Sequence, residues 1–241
     1  MSQSSVPSTV VKDFVKSYWS ERAATFDEAP NHHWQTEQQH RAWLELLGDI
    51  AGPTPIDVLD LGSGTGFLSL QLAELGHRVI GTDIAPQMVM NAEKKRDAQE
   101  STATFRLGDI EQLPDADNSA DLIVGRHIIW TLPNPFEALA DWFRILRPGG
   151  QLALFEFAGR ASTEKAEDKP DAQPRPAAPG YEDVAEYLPF YGGSTSDRVI
   201  DAFTDAGFTR VTAKSLHDEI LWGMEVKNDR YVVIGRKPEA E

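Results

Sequence analysis

The sequence predicts an α/β fold built on a parallel, doubly wound sheet. Three observations predict it. Between residues 56 and 157 short apolar runs alternate with helical patterns, the signature of strands joined by helices that cover both faces of one sheet. The first apolar run, "IDVLDL", passes straight into Gly62-Ser63-Gly64-Thr65-Gly66. The second, "HRVIGTD", ends in Asp83, so a glycine loop and an acid close two successive strands.

The elements follow in order. Val11, Phe14, Val15, Tyr18 and Trp19 recur at three- and four-residue spacing and predict a first helix. A polar stretch, "APNHHW", leads to a second helical pattern through Trp43, Leu44, Leu46 and Leu47, which "GDIAGPTP" breaks. Pro86 suits the first turn of a helix over 86–99. "ATFRLGD" and "DLIVGR" are further strands. In "LPNPFEALADWFRIL" Asn134 is expected to cap a helix, Pro135 to open it and Glu137 to complete a capping box. "RPGG" turns the chain into "QLALFEF". Residues 158–180 carry four prolines, many charges and no large apolar side chain, too little apolar surface to order themselves; 158–191 is expected to be a mobile lid or insertion. "SDRVIDAFTDAGF" predicts a helix ended by Gly207, and "TRVTAKSL" and "RYVVIGRK" predict two closing strands. The division is a helical lid over 1–50 and one domain over 51–241.

Composition narrows the chemistry. A chain of 241 residues with 41% hydrophobic content suits one domain with a sizeable core. It holds no cysteine, which excludes disulfides, thiolate metal sites, a cysteine nucleophile and the thiolate chemistry of arsenic methylation. No metal site is expected. The net charge of −15 opposes binding to nucleic acid. The start "MSQSSVPSTVVK" shows no basic and apolar leader, and no run is long enough to span a membrane; a cytoplasmic location is expected. The oligomeric state is open, a homodimer included.

A strand ending in glycines brings backbone close to a ligand beyond the carboxyl ends of the strands. Asp83 can accept two hydrogen bonds from a ribose diol. Together they indicate an adenosine-containing cofactor. The dinucleotide fingerprint is G-x-G-x-x-G; here the third glycine comes one residue early, and Asp60 precedes the loop. An acid there suits a cofactor bearing an ammonium and a sulfonium better than a pyrophosphate.

The stretches "VLDLGSGTG", "VIGTDIAPQMV", "LGDIEQLPDADNSADLIV" and "LRPGGQLALFE", in this order, resemble the class I S-adenosylmethionine-dependent methyltransferases, in particular the small-molecule branch with the ubiquinone/menaquinone C-methyltransferases. The resemblance covers about residues 56–157. It implies a three-layer Rossmann-like methyltransferase fold, with a seven-stranded, mostly parallel sheet, an antiparallel last strand and an N-terminal helical lid. It implies S-adenosyl-L-methionine as cofactor, S-adenosyl-L-homocysteine as product and a small-molecule methyl acceptor. Carried over by residue, it places Gly62, Ser63, Gly64 and Gly66 at the methionine part and ribose, with Asp60 on the ligand side. Asp83 falls on the ribose hydroxyls, Ile84 and Met88 beside adenine, Asp109 and Ile110 on the adenine edge, and Arg126 near the methionine moiety. Ala85 stands where relatives often cap the next helix with serine or threonine.

Methyl transfer from a sulfonium needs positioning first and a base only for some acceptors. His127, just past the fourth strand, is the candidate base. Tyr18 and Arg22 on the first helix are candidates for the methionine end. His32 and His33 are weaker site candidates, and Trp130, Tyr187, Phe190 and Tyr191 are candidates for an aromatic acceptor pocket. The alternatives are a nicotinamide-dependent oxidoreductase, a non-catalytic cofactor-binding sensor or scaffold, and a methyltransferase acting on a macromolecule.

Overall fold

A computed structural model describes residues 6–29, 31–159 and 180–239. The chain runs α1 (Ser8–Arg22), α2 (Glu37–Ala51), β1 (Asp57–Leu61), α3 (Phe67–Glu74), β2 (Arg78–Asp83), α4 (Pro86–Ala98), β3 (Thr104–Leu107), β4 (Ala120–Arg126), α5 (Pro135–Ile145), β5 (Leu146–Phe157), α6 (Ser196–Asp205), β6 (Thr209–Ser215) and β7 (Arg230–Arg236). The strands form one seven-stranded sheet in the order β3-β2-β1-β4-β5-β7-β6. β7 runs antiparallel to both neighbours, and the other pairings are parallel. This is the expected fold.

Side-chain alternation along the strands explains the layering. Leu59, Ile123, Leu152, Leu154 and Val233 point to the face covered by α1, α5 and α6. Val58, Leu122, Val124, Ala153 and Val232 point to the other face, with α2 and α3. Trp43, Leu46 and Leu47 of α2 are buried there. Within the stretch expected to be a lid, α2 therefore packs against the sheet and not over the cavity. The apolar stripe of α2 commits it to the helical layer, and the segment over the cavity is α1 with the turn that follows it.

Two local expectations are corrected. Asn134 does not cap α5 through its side chain; its backbone N–H and its amide both donate to the Glu111 carboxylate, at 2.6 and 3.0 Å. A carboxylate is the stronger acceptor for both donors, so no capping box forms there. Pro86 and Pro135 do open their helices. Of the lid or insertion expected to be mobile over 158–191, residues 160–179 lie outside the described residues, whereas in 180–191 Tyr181, Val184, Leu188 and Phe190 are buried in the core, because this stretch, unlike 158–180, carries large apolar side chains. Among the described residues no helix is long and apolar enough to cross a membrane.

Candidate active site

The order reverses between β1 and β4, the topological switch point at which open sheets leave a crevice beyond the strand ends. There the structure holds a cavity of about 490 Å³, within the range of small-molecule sites. Its floor is the glycine loop after β1, Asp83 at the end of β2, Asp109 and Ile110 after β3, and Arg126 and His127 at the end of β4. Its roof is α1 and the following turn, through Tyr18, Trp19, Arg22 and Phe26. Because β7 is antiparallel, its first residue, Arg230, lies at the same edge and also lines the cavity.

Asp83 is fixed by backbone. One carboxylate oxygen accepts from Gly64 N–H (2.8 Å) and the other from Ala85 N–H (2.8 Å). Burial raises its pKa, and those amides oppose the rise. Each oxygen keeps a lone pair for a donor in the cavity. Gly62 and Gly64 both take positive φ, 60° and 54°, but they serve different ends. A Cβ on Gly62 would meet the Ile128 side chain at 2.5 Å, whereas one on Gly64 would meet only Phe26 of the roof, at 3.7 Å. Gly62 thus makes room for protein, and Gly64 faces the cavity.

Asp60, Ser63 and Gly66 do not line the cavity. Asp60 is buried beneath it and accepts from both the N–H (3.0 Å) and the hydroxyl (2.6 Å) of Ser69. It supplies the acidic partner for the N-terminus of α3 that the N-cap residue, Gly66, cannot give. Burial pushes its pKa up to about 7. The Ser63 backbone donates to Thr82, tying the loop to β2, and a Cβ on Gly66 would collide with Phe105 at 2.8 Å.

Ile84, Met88, Asp109 and Ile110 all reach the cavity. Asp109 is already engaged. Lys12 of α1 donates to Asp109 at 2.6 Å and lies 2.6 Å from Glu111. Burial lowers the Lys12 pKa, but the two acids outweigh it and the net shift is upward. Two further contacts hold the roof: Thr65 of the glycine loop donates to Asp27 (2.6 Å), and Asn91 of α4 donates to the Ala23 carbonyl (2.8 Å). Tyr18 packs edge-on against Tyr181, with the Arg22 guanidinium 4.4 Å from its ring centre.

At the β4 end the guanidinium of Arg126 itself enters the site. It stacks over Phe67 at 4.0 Å and donates to the Asn31 and His32 carbonyls. Burial lowers its pKa to about 10, and it remains a cation. His127 sits at φ 59°, a left-handed conformation that costs a non-glycine residue about 1 kcal/mol or more. Burial, then Arg126 and Arg230, hold its pKa well below the ordinary value. The imidazole is therefore neutral at pH 7, a hydrogen-bonding group and a weak base. Glu156 fixes this loop: one carboxylate oxygen accepts from the backbones of Ile128 (2.9 Å) and Ile129 (3.0 Å). His32 lines the cavity, stacked on Phe26, while His33 does not. Of the proposed aromatic pocket only Trp130 reaches the cavity; Phe190 is core, against Phe136. Among the described residues no cluster is placed to hold a metal.

Sequence reasoning missed Lys12, Glu111 and Arg230. Lys12 lies one turn before Lys16 and carries no local signal. Arg230 opens what reads as an ordinary closing strand.

Residues 59–154 match the family model of a methyltransferase domain. Among curated proteins the chain is similar to an arsenite methyltransferase of Halobacterium salinarum, 37% identical over 43% of this chain and 28% of that one. It is also similar to a demethylmenaquinone methyltransferase of Renibacterium salmoninarum, 33% identical over 57% of this chain and 59% of that one. The chain thus spans from about a quarter to three-fifths of the length of these relatives. Among solved structures the [4+2]-cyclase SpnF superposes with a TM-score of 0.72 at 15% identity, over 95% of this chain and 97% of that one; at that identity the likeness is one of fold.

Proposed function

We propose that this chain, which carries a class I methyltransferase domain, transfers the methyl group of S-adenosylmethionine to a small-molecule acceptor. The observation that carries the reading is Asp83: a carboxylate fixed by two backbone amides, bordering the cavity beside Gly64. That is an acceptor pair set for a diol. Ile84, Met88 and Ile110 supply an apolar slot beside it, suited to a purine. Arg126 retains three of its five N–H donors beyond the two bonds to Asn31 and His32 and suits the methionine carboxylate. Held by Asp83 and Arg126, the cofactor would supply an electrophilic methyl carbon on a sulfonium, with S-adenosylhomocysteine as the group displaced by the acceptor.

The protein's own work is positional. The roof excludes water, Asp83 sets the depth of the adenosine, and the Glu156-held loop presents His127. With a depressed pKa, His127 orients an acceptor by a hydrogen bond and adds little as a base. The reading extends to an acidic protein working in the cytoplasm.

The test is calorimetric titration with S-adenosylhomocysteine, followed by an assay of S-adenosylhomocysteine formed with phenol, amine, thiol and carboxylate acceptors. Binding by the intact protein, its loss in Asp83→Ala and turnover with one acceptor class support the reading. Absence of binding by the intact protein refutes it, and tight binding with no turnover across the panel favours a sensor.

A further inference from the structure

The β4–β7 end of the cavity carries charge that the cofactor does not account for. Arg230 lines the cavity. Its guanidinium stacks over Trp222 at 4.0 Å, and its Nη1 is buried without a hydrogen-bond partner. No carboxylate among the described residues pairs with it. Asp229, next in the chain, engages His217 instead, at 2.7 Å. Nearby, Nε2 of His127 and Nε1 of Trp130 are buried and also unpartnered, and both residues line the cavity. Buried polar groups are rarely left unpaired, and each costs about 1–3 kcal/mol when they are. All three residues border one cavity; Nη1 of Arg230 and Nε1 of Trp130 are donors, while Nε2 of His127 donates or accepts according to its tautomer, so a ligand that supplies acceptors suits this end.

Charge arithmetic identifies that ligand. Three arginines border the cavity, Arg22, Arg126 and Arg230, and none forms an ion pair among the described residues; Arg22 lies in the roof, over the Tyr18 ring, which leaves Arg126 and Arg230 at the β4–β7 end. S-adenosylmethionine brings one carboxylate together with an ammonium and a sulfonium, a net positive charge. Arg126, at the end of the strand beside β1, takes that carboxylate. Arg230 lies on β7, two strands from Arg126 on β4, about 10 Å at the usual strand spacing. A second anion is needed there, and the cofactor has none left.

Resting on the proposed function, we propose that the methyl acceptor is a small organic acid, its carboxylate received by Arg230 and its body lying against His127, Phe157 and Trp130. Phe157 pairs with Arg230 across β5 and β7, and its ring meets the His127 ring edge-on at 5.1 Å. The wall is therefore flat and apolar next to the cation, which suits a planar acid. Asn228 lines the cavity beside Arg230 and adds an amide to the same end.

The test uses matched probes, benzoate against benzamide and 4-hydroxyphenylacetate against its amide, titrated into the full chain saturated with S-adenosylhomocysteine. At least one acid is expected to bind ten times or more tightly than its amide. Arg230→Gln is expected to abolish that preference and Arg230→Lys to retain part of it. S-adenosylhomocysteine affinity is expected to stay within threefold in both variants. Equal binding of acid and amide, no binding of either acid, or a preference that survives Arg230→Gln overturns the proposal. So does a tenfold loss of S-adenosylhomocysteine affinity in Arg230→Gln with 5′-methylthioadenosine affinity unchanged, since that gives the guanidinium to the methionine carboxylate. Should Arg230→Gln fail to fold, Arg230→Lys decides: an acid preference unchanged from wild type together with weakened S-adenosylhomocysteine binding counts against the proposal. Failure of the intact protein to bind S-adenosylhomocysteine sinks the methyltransferase reading itself and is seen before any acid is added.

Discussion

At the β2 end of the cavity the proposed working group is a carboxylate held by the backbone of its own neighbourhood; at the β7 end the proposed working groups are side chains assembled from distant parts of the chain. Asp83 takes its bonds from Gly64 and Ala85, on loops beside it. Arg126 is held by carbonyls of Asn31 and His32, 94 or more residues away, and Arg230 enters from the antiparallel strand. Backbone amides are supplied by any sequence that makes the turn, so the first end is fixed by the fold. The second end depends on which side chains meet, and one substitution can re-tune it. A scaffold of this kind keeps one ligand and changes the other.

The largest effect that sharpens the contrast is expected from Asp83→Ala. It removes two charge-assisted acceptors from the ligand, worth about 3 kcal/mol together, so S-adenosylhomocysteine affinity should fall roughly a hundredfold in calorimetry. A loss under threefold would break the division of the cavity. Next comes Lys12→Met. It strips the cation from Asp109 and the buried Glu111; Glu111 keeps its bonds to Asn134, so the loss is about 1–3 kcal/mol of stability. Amide exchange of α1 should quicken more than that of β4. Lys12 also competes with any donor aimed at Asp109, so cofactor entry is expected to require its release, and Lys12→Met should bind S-adenosylhomocysteine faster.

The third prediction concerns pH at the β4 end. Burial raises the Glu156 pKa from 4.5 to about 8. Because the folded value exceeds the unfolded one, the unfolded chain releases this proton more readily. The group's contribution is greatest below pH 4.5 and is lost as pH rises toward 8. Asp60, raised from 3.8 to about 7, acts in the same direction. Glu156→Gln keeps an oxygen for the Ile128 and Ile129 amides, so its melting temperature should gain on wild type between pH 5 and pH 8, by about 2–4 °C for each kcal/mol. A constant difference across that range would contradict the assignment. The smallest effect is expected from Ala85→Ser. The first turn of α4 has no side-chain cap, and a serine should add about 0.5–1 kcal/mol without altering the cofactor preference.

The same contrast explains what the sequence revealed. Strand and glycine loop are encoded by neighbours: "VLDLGSGTG" followed by "VIGTD" places Asp83 beside Gly64 before any tertiary contact is known. The arrangement at Asp60 was not legible, because a carboxylate before a glycine loop looks alike whether it turns to the ligand or to Ser69; the choice is made by burial and by Gly66 lacking a side chain to cap α3. Asn134 carried a strong capping signal, yet Glu111, 23 residues away, outcompeted it. Arg230 had no signal at all, since its role comes from β7 running antiparallel and opening at the edge where β5 ends.

The most direct test is a crystal structure of the full chain with S-adenosylhomocysteine. The account predicts ribose hydroxyls on Asp83, adenine against Ile84, Met88 and Ile110, the methionine carboxylate on Arg126, and Arg230 untouched by the cofactor. A methionine carboxylate seated on Arg230, or an adenosine placed away from Asp83, would contradict it.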